Sequence, residues 1–184
     1  MNIFYIDESP IIAAQMQCDK HIPKMIVESA QMLSTAHRML DGTEEKRLSK
    51  SGKRTVKYYK HHDDILEKYL YKAVHFNHPS TLWTRESAGN YVWHYMHFIA
   101  LCDEYTYRYG KVHKSYELLS DVLGKIPKNI PDGPRTPIRL AITDKEYITE
   151  CPIETYRAFY QSKQKRFKMV WTKREKPEWF NANV

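Results

Sequence analysis

The sequence predicts an all-α fold: a compact multi-helix domain with a short N-terminal extended segment and a basic loop or hairpin excursion. Three observations predict it. Glycine is scarce, at 6 of 184 residues, while Leu, Met, Ala, Lys and Glu, all good helix formers, are plentiful. Residues 19–40 place Ile22, Met25, Ile26, Met32, Leu33, Ala36 and Leu40 near helical spacing. Residues 91–109 are apolar on most sides, as expected of a helix central to a fold.

The elements follow in order. Residues 2–7, NIFYID, read as an extended segment or short strand because they are apolar, β-branched and aromatic. Asp7 or Ser9 is placed to cap a short helix with Pro10 in its first turn. The longer helix 19–40 tolerates Pro23 only in its own first turn, and Asp41-Gly42 stops it. Residues 43–60 change character: seven Lys/Arg and no acid lie between Lys46 and Lys60. The KSGKR centre is able to turn a hairpin. The bland reading is a solvated loop. The functional reading is a phosphate-contacting arm of Lys46, Arg47, Lys50, Lys53, Arg54 and Lys57, with Tyr58 and Tyr59 free to stack on bases.

Residues 62–74 predict a moderate helix with acids at its N-terminal end, where the dipole favours them. Pro79 biases His78 away from helix, so the next helix starts near Ser80. It runs, with a break at Ala88-Gly89, to about Tyr109, and Gly110 ends it. A helix over 115–126, a loop over 127–143 with four prolines, and a helix over 152–167 opened by Pro152 complete the body. The tail, with Trp171 and Trp179, is expected to pack back onto it. With no internal repeat, residues 1–184 read as one domain, with 43–60 as an insertion and 127–184 as a C-terminal elaboration.

Composition narrows the function. The net charge of +7 and pI near 9.2 point to a polyanionic partner: nucleic acid, nucleotide or an anionic surface. Cys18, Cys102 and Cys151 are odd in number with no C-x-x-C spacing, which predicts a reducing cytoplasm rather than a disulfide framework. MNIFYIDESP lacks the basic and apolar regions of a signal peptide. No stretch of about 18 uncharged apolar residues exists, so no membrane partner is expected. Phosphate-loop, nucleophile-elbow and kinase signatures are absent from the sequence. His61, His62, His75 and His78, with Asp63 and Asp64, fit no strong metal-ligand spacing, so neither a metal nor a cofactor is expected.

The candidate site residues start in CDKHIPKMIVES, residues 18–29. His21, Lys24 and Glu28 differ by three and four positions and share a helix face. A glutamate among basic residues facing a cleft suits acid/base or charge-stabilising work; a wet face with a Lys24–Glu28 pair is the plainer reading. Arg85, Glu86 and Asn90 form either a buried polar network or a substrate pocket. Tyr105, Tyr107, Arg108, Tyr109, Lys111, His113 and Lys114 suit stacking plus phosphate binding, and equally suit ordinary packing.

CDKHIPKMIVESAQML, followed by NHPSTLW and ALCDEYTYRYG, resembles the pyrimidine-dimer DNA glycosylase family of the phage endonuclease V type, over about residues 1–115. The family's Asp-x-His followed seven residues later by a glutamate falls here on Asp19, His21 and Glu28. The layout, including the closing WTKREKPEWF, also resembles proteins of large tailed phages, which would place the chain in the host cytoplasm. The resemblance implies attack by an N-terminal α-amine on C1′ of the damaged nucleotide, a Schiff base and β-elimination. An α-amine suits this because its reference pKa is about 8. It implies a nucleotide extruded from the stack at a cost of a few kcal/mol.

Glu28 then stabilises the sugar cation, with His21 and Lys24 around the reacting sugar. Asp19, Lys20, His78, Arg85, Glu86 and Asn90 would bind substrate, and the 46–60 arm would grip DNA phosphates. The family exposes its amine by removing the initiator Met before a small residue; this chain opens Met1-Asn2, and Lys20 or Lys24 stands as an alternative amine. The rival expectation is a non-catalytic phage protein that binds nucleotide or nucleic acid, either sequestering a host nucleotide or forming part of the particle. A different nucleotide-modifying enzyme on the same scaffold is the third.

Overall fold

Helix α2 (His21–Asp41) is the spine of the fold. Ile22, Met25, Ile26, Ala30, Leu33 and Ala36 fall on one helical stripe and are all buried. Its 21 residues span roughly 30 Å at 1.5 Å per residue. The structure is a computed structural model that describes residues 1–181. Helix α1 (Pro10–Gln15) starts where Ser9 caps the Ile12 amide and Pro10 fills the first turn. Helix α5 (Ala88–Tyr109) packs on both α1 and α2. Around them lie α3 (Asp64–Tyr69), α4 (Pro79–Thr84), α6 (Lys114–Leu123) and α7 (Pro152–Gln161), with 3-10 turns at Lys145–Tyr147 and Ser162–Lys165. No described helix is long and apolar enough to cross a membrane.

The all-α expectation is wrong. Residues 42–61 form an antiparallel hairpin, β1 (Gly42–Leu48) and β2 (Thr55–His61), in the register Gly42↔His61 to Leu48↔Thr55. Thr43, Thr55, Val56, Tyr58 and Tyr59 supply β propensity, and Gly52 takes the positive φ of the turn at +69°. The chain enters β1 directly from α2. Gly42 permits this: a β-carbon there would stand 2.4 Å from the Arg38 carbonyl oxygen and 2.5 Å from that of Lys60.

Other boundaries shift for local reasons. Helix α3 is shorter than the expected 62–74, because Leu70 leaves it in extended geometry. The break before α5 falls at Arg85–Ser87, where the Ser87 side chain caps the Asn90 amide, rather than at Ala88-Gly89. The last helix gives way at Ser162 to a 3-10 turn. Residues 127–143 form an irregular strap, as their prolines suggest.

A two-stranded hairpin is marginal by itself. This one is held by Arg38, a buried residue of α2. All five guanidinium N–H groups are used. They reach the carbonyls of Tyr59 (2.9 Å), Glu67 (2.9 Å), Leu70 (2.9 Å) and Tyr71 (2.7 Å), and the Glu67 carboxylate. Glu67 also accepts from the Tyr58 hydroxyl at 2.5 Å and the His61 amide at 2.8 Å. Removing one partner of such a pair strands the other. Arg38→Met should therefore lower unfolding free energy by about 3 kcal/mol or more, read by urea denaturation. Lys57→Ala, which breaks only an exposed pair with Glu44, should leave the urea midpoint unchanged. Equal effects would show that Arg38 does not anchor the hairpin.

Candidate active site

Glu28 lies on the N-terminal half of α2, and the start of the chain folds back onto it. Its Oε2 accepts the Asn2 main-chain N–H at 2.9 Å and lies 3.8 Å from the Met1 α-amine. Its Oε1 lies 3.6 Å from Lys24 Nζ, one helical turn away. The backbone geometry follows from Asn2, whose Oδ1 accepts the amides of Ile3 (2.8 Å) and Phe4 (2.9 Å). That turn leaves Phe4 at φ +56°, an unusual conformation for a bulky residue. It is over-determined by packing: the Phe4 ring stacks on His21 at 4.8 Å and meets Tyr160 edge-on at 4.9 Å.

These groups line a cavity of about 230 Å³. Phe4, His21, Phe159 and Phe167 make its aromatic walls, and Lys24, Lys163 and Arg166 its basic ones, around Glu28. Lys163 Nζ sits 3.4 Å from the Phe159 ring centre. Burial, aided by Arg166, pushes its pKa down. His21 is buried, with Nδ1 2.8 Å from the Tyr160 hydroxyl, which also accepts the Cys18 amide. Burial, with Lys24, Lys163 and Lys20 nearby, lowers His21 to about 4. It is therefore a neutral wall at pH 7.

A larger cavity of about 540 Å³ lies beside α1, α5 and α6. Its titratable groups are mainly acids and tyrosines, and Glu104 there is tied to Arg108 and Arg174. Size favours that cavity, but the convergence of a carboxylate, amines and aromatic rings favours the smaller one.

The structure brings His21, Lys24 and Glu28 together, and sends several other expected residues elsewhere. Asp19 does not face the cavity: it pairs with Arg108 at 3.0 Å and accepts the Thr172 amide and hydroxyl, anchoring the tail. Arg108 itself is buried and clasps the carbonyls of Gln15 and Gln17. Lys20 lies over Phe167 at 4.4 Å, on the outer edge. Asn90 is fully buried and bonds Trp83 and Thr136, and Glu86 pairs with Arg139, so both fasten the 127–143 strap.

His78 caps α4 through Ser80 and lies near Met1 and Glu28; burial and the Met1 amine lower its pKa. The Thr81 hydroxyl touches Met1 Sδ at 3.7 Å, and Arg85 donates to the Thr81 carbonyl at 3.1 Å. Arg85 in turn feels the Tyr59 phenol on the hairpin. A chain of contacts thus runs from Glu28 through Met1, Thr81 and Arg85 toward the basic hairpin. There Lys46, Lys50, Lys53 and Arg54 are exposed and form no ion pair with the described residues, whereas Lys57 and Arg47 are paired with Glu44 and Glu45.

Sequence reading missed Phe159, Lys163, Arg166 and Phe167. The signal was present as a basic–aromatic run at the end of the last helix, FYQSKQKRF. One metal-like cluster, His37, Asp41 and His61, lies at the opposite end of α2.

His21 also predicts a pH dependence. Its folded pKa lies below the unfolded value, so the unfolded chain binds more protons between about 6.5 and 4. Stability is retained above that window and lost as pH falls through it, by about 3 kcal/mol for this group. His21→Gln should flatten the slope of unfolding free energy against pH in that window; an unchanged slope would show that His21 is not buried neutral. No family model, curated protein or solved structure matches the chain.

Proposed function

We propose that the chain is a DNA glycosylase-like protein acting on damaged or modified pyrimidines, with Glu28 at the reacting sugar. The observation that carries this reading is the pairing of Glu28 Oε2 with the first two main-chain nitrogens in an aromatic, basic cavity. A carboxylate beside an α-amine is able to take its proton and leave a nucleophilic nitrogen. The freed amine attacks C1′ as the bond to the base breaks, the proton held by Glu28 passes to the departing base, and the regenerated carboxylate balances the positive charge on the sugar–amine adduct.

Aromatic walls suit an extruded base. Lys24, Lys163 and Arg166 suit the flanking phosphates. The hairpin lysines extend the basic surface along the backbone of a longer nucleic acid. A cavity of about 230 Å³ is below the roughly 300–1,000 Å³ of drug-sized sites, so it suits one base or sugar rather than a linked pair of bases.

One observation favours a second reading. The Met1 side chain is only 3% exposed, and Glu28 already accepts the Asn2 amide. A buried Met1 beside a carboxylate that is already hydrogen-bonded suits a non-catalytic nucleotide-binding protein.

Glu28→Gln separates the two. On damaged duplex DNA it should abolish base release while changing DNA affinity less than about threefold, since the neutral amide keeps the shape and loses the charge. Unchanged base release would overturn the assignment. The arm is tested by replacing Lys46, Lys50, Lys53 and Arg54 together with serine. The slope of log affinity against log salt should fall by about one for each residue that contacts a phosphate. A slope identical to the parent protein's would remove the hairpin from the interface.

A further inference from the structure

The C-terminal end of α2 carries a second group of chemistry-bearing side chains. His37 and Asp41 lie four residues apart on one face of α2, and His61 ends β2 at the root of the hairpin. All three are buried, and one ligand atom from each lies within 4.8 Å of the others. His37 Nδ1 and His61 Nε2 are buried without a hydrogen-bond partner. Such orphaned nitrogens cost free energy unless something binds them.

Their surroundings fix how they are presented. The Tyr91 hydroxyl donates to the Leu123 carbonyl at 2.9 Å, so it must accept from His37 Nε2 at 2.8 Å. His37 therefore carries its proton on Nε2 and a bare lone pair on Nδ1. This is the arrangement of a metal-ligating histidine, whose other nitrogen is held by a hydrogen bond. Asp41 Oδ2 accepts the Lys128 amide (2.7 Å) and Oδ1 accepts both the main-chain (2.9 Å) and side-chain (3.0 Å) amides of Asn129, which orient the carboxylate and leave one lone pair, on Oδ2.

We propose that His37 Nδ1, His61 Nε2 and the Asp41 carboxylate hold a divalent transition-metal ion of the zinc type. Two imidazoles and one carboxylate suit that class better than magnesium or calcium, which prefer oxygen ligands.

A tetrahedral ion with bonds of about 2.0–2.1 Å sets ligand atoms roughly 3.3 Å apart, so the three side chains close inward by about 1 Å. His61 Nδ1 accepts the Asp63 amide at 3.0 Å in this structure. Ligation through Nε2 moves the ring proton to Nδ1 and gives up that bond, worth about 1 kcal/mol. Three protein ligands leave a fourth position. It faces a cavity of about 500 Å³ whose lining includes Lys125 and Lys128, so the position takes water or a small anion. The site is separate from Glu28: His37 is nine residues further along the same helix, about 14 Å along its axis.

The test uses full-length protein stripped with a chelator and titrated with zinc alone or cobalt(II) alone. One equivalent should bind, zinc should raise the melting temperature, and cobalt should develop a tetrahedral visible spectrum. His61→Ala and Asp41→Asn should weaken binding by about 100-fold or more, and His62→Ala should change nothing. Should a ligand variant fail to fold, imidazole nitrogen NMR of the parent protein decides. Zinc should shift the ring signals of His37 and His61 and leave those of His75 and His78 in place. No saturable binding, binding insensitive to His61→Ala, or unmoved His37 and His61 signals would overturn the site.

Discussion

The Arg38 guanidinium is the interaction on which the rest of the structure depends. A charge placed inside a protein is tolerated only when its donors are all met, and Arg38 meets its five from β2, α3 and residues 70–71. The consequence is spatial. A hairpin that buries little apolar surface is fixed to the end of α2, with Tyr59 turned toward Phe76 and Arg85 and His61 turned toward His37. Both the basic surface and the proposed metal site inherit their geometry from that anchor.

At the other end of α2 a different constraint operates. Glu28 is presented by the helix, but its partners arrive from distant stretches of chain. Asn2 bends the first residues so that main-chain nitrogens face the carboxylate, at the expense of a positive φ at Phe4. The region around α7 brings Phe159, Lys163, Arg166 and Phe167 as the opposite wall. Strain of order 1–3 kcal/mol at such a backbone position persists only when the surroundings hold it. Here the stacked His21 and the edge-on Tyr160 do so. Tyr160 also ties the Cys18 amide to His21, so the start of α2 and the aromatic wall of the cavity are one packed unit.

What the sequence disclosed follows from the range of the interactions. Helical periodicity is local, so α2 and α5 were legible from the spacing of their apolar residues, and α1 from its cap at Ser9 and Pro10. The shared face of His21, Lys24 and Glu28 was legible for the same reason. The hairpin was recognisable as a turn but not as the sheet that breaks the all-α reading. Its strands are mostly charged, and their stability comes from Arg38 rather than from an apolar face. Asp19, Glu86 and Asn90 read as site residues because their true partners, Arg108 and Thr172, Arg139, and Thr136, lie 46 to 153 positions away. Nothing near them in sequence announced those contacts. His61 was noted among neighbouring histidines, but its partners His37 and Asp41 sit on another element, so no ligand spacing appeared.

The central claim is that a nucleotide sugar reacts with an amine beside Glu28. It is tested most directly by borohydride trapping on ultraviolet-irradiated and abasic DNA, with the modified peptide identified by mass spectrometry. The account predicts one covalent adduct, on the peptide that carries the Met1 and Asn2 nitrogens, lost in Glu28→Gln. No adduct on either DNA, together with tight binding of free nucleotide, would contradict it and leave the Glu28 cavity as a binding pocket.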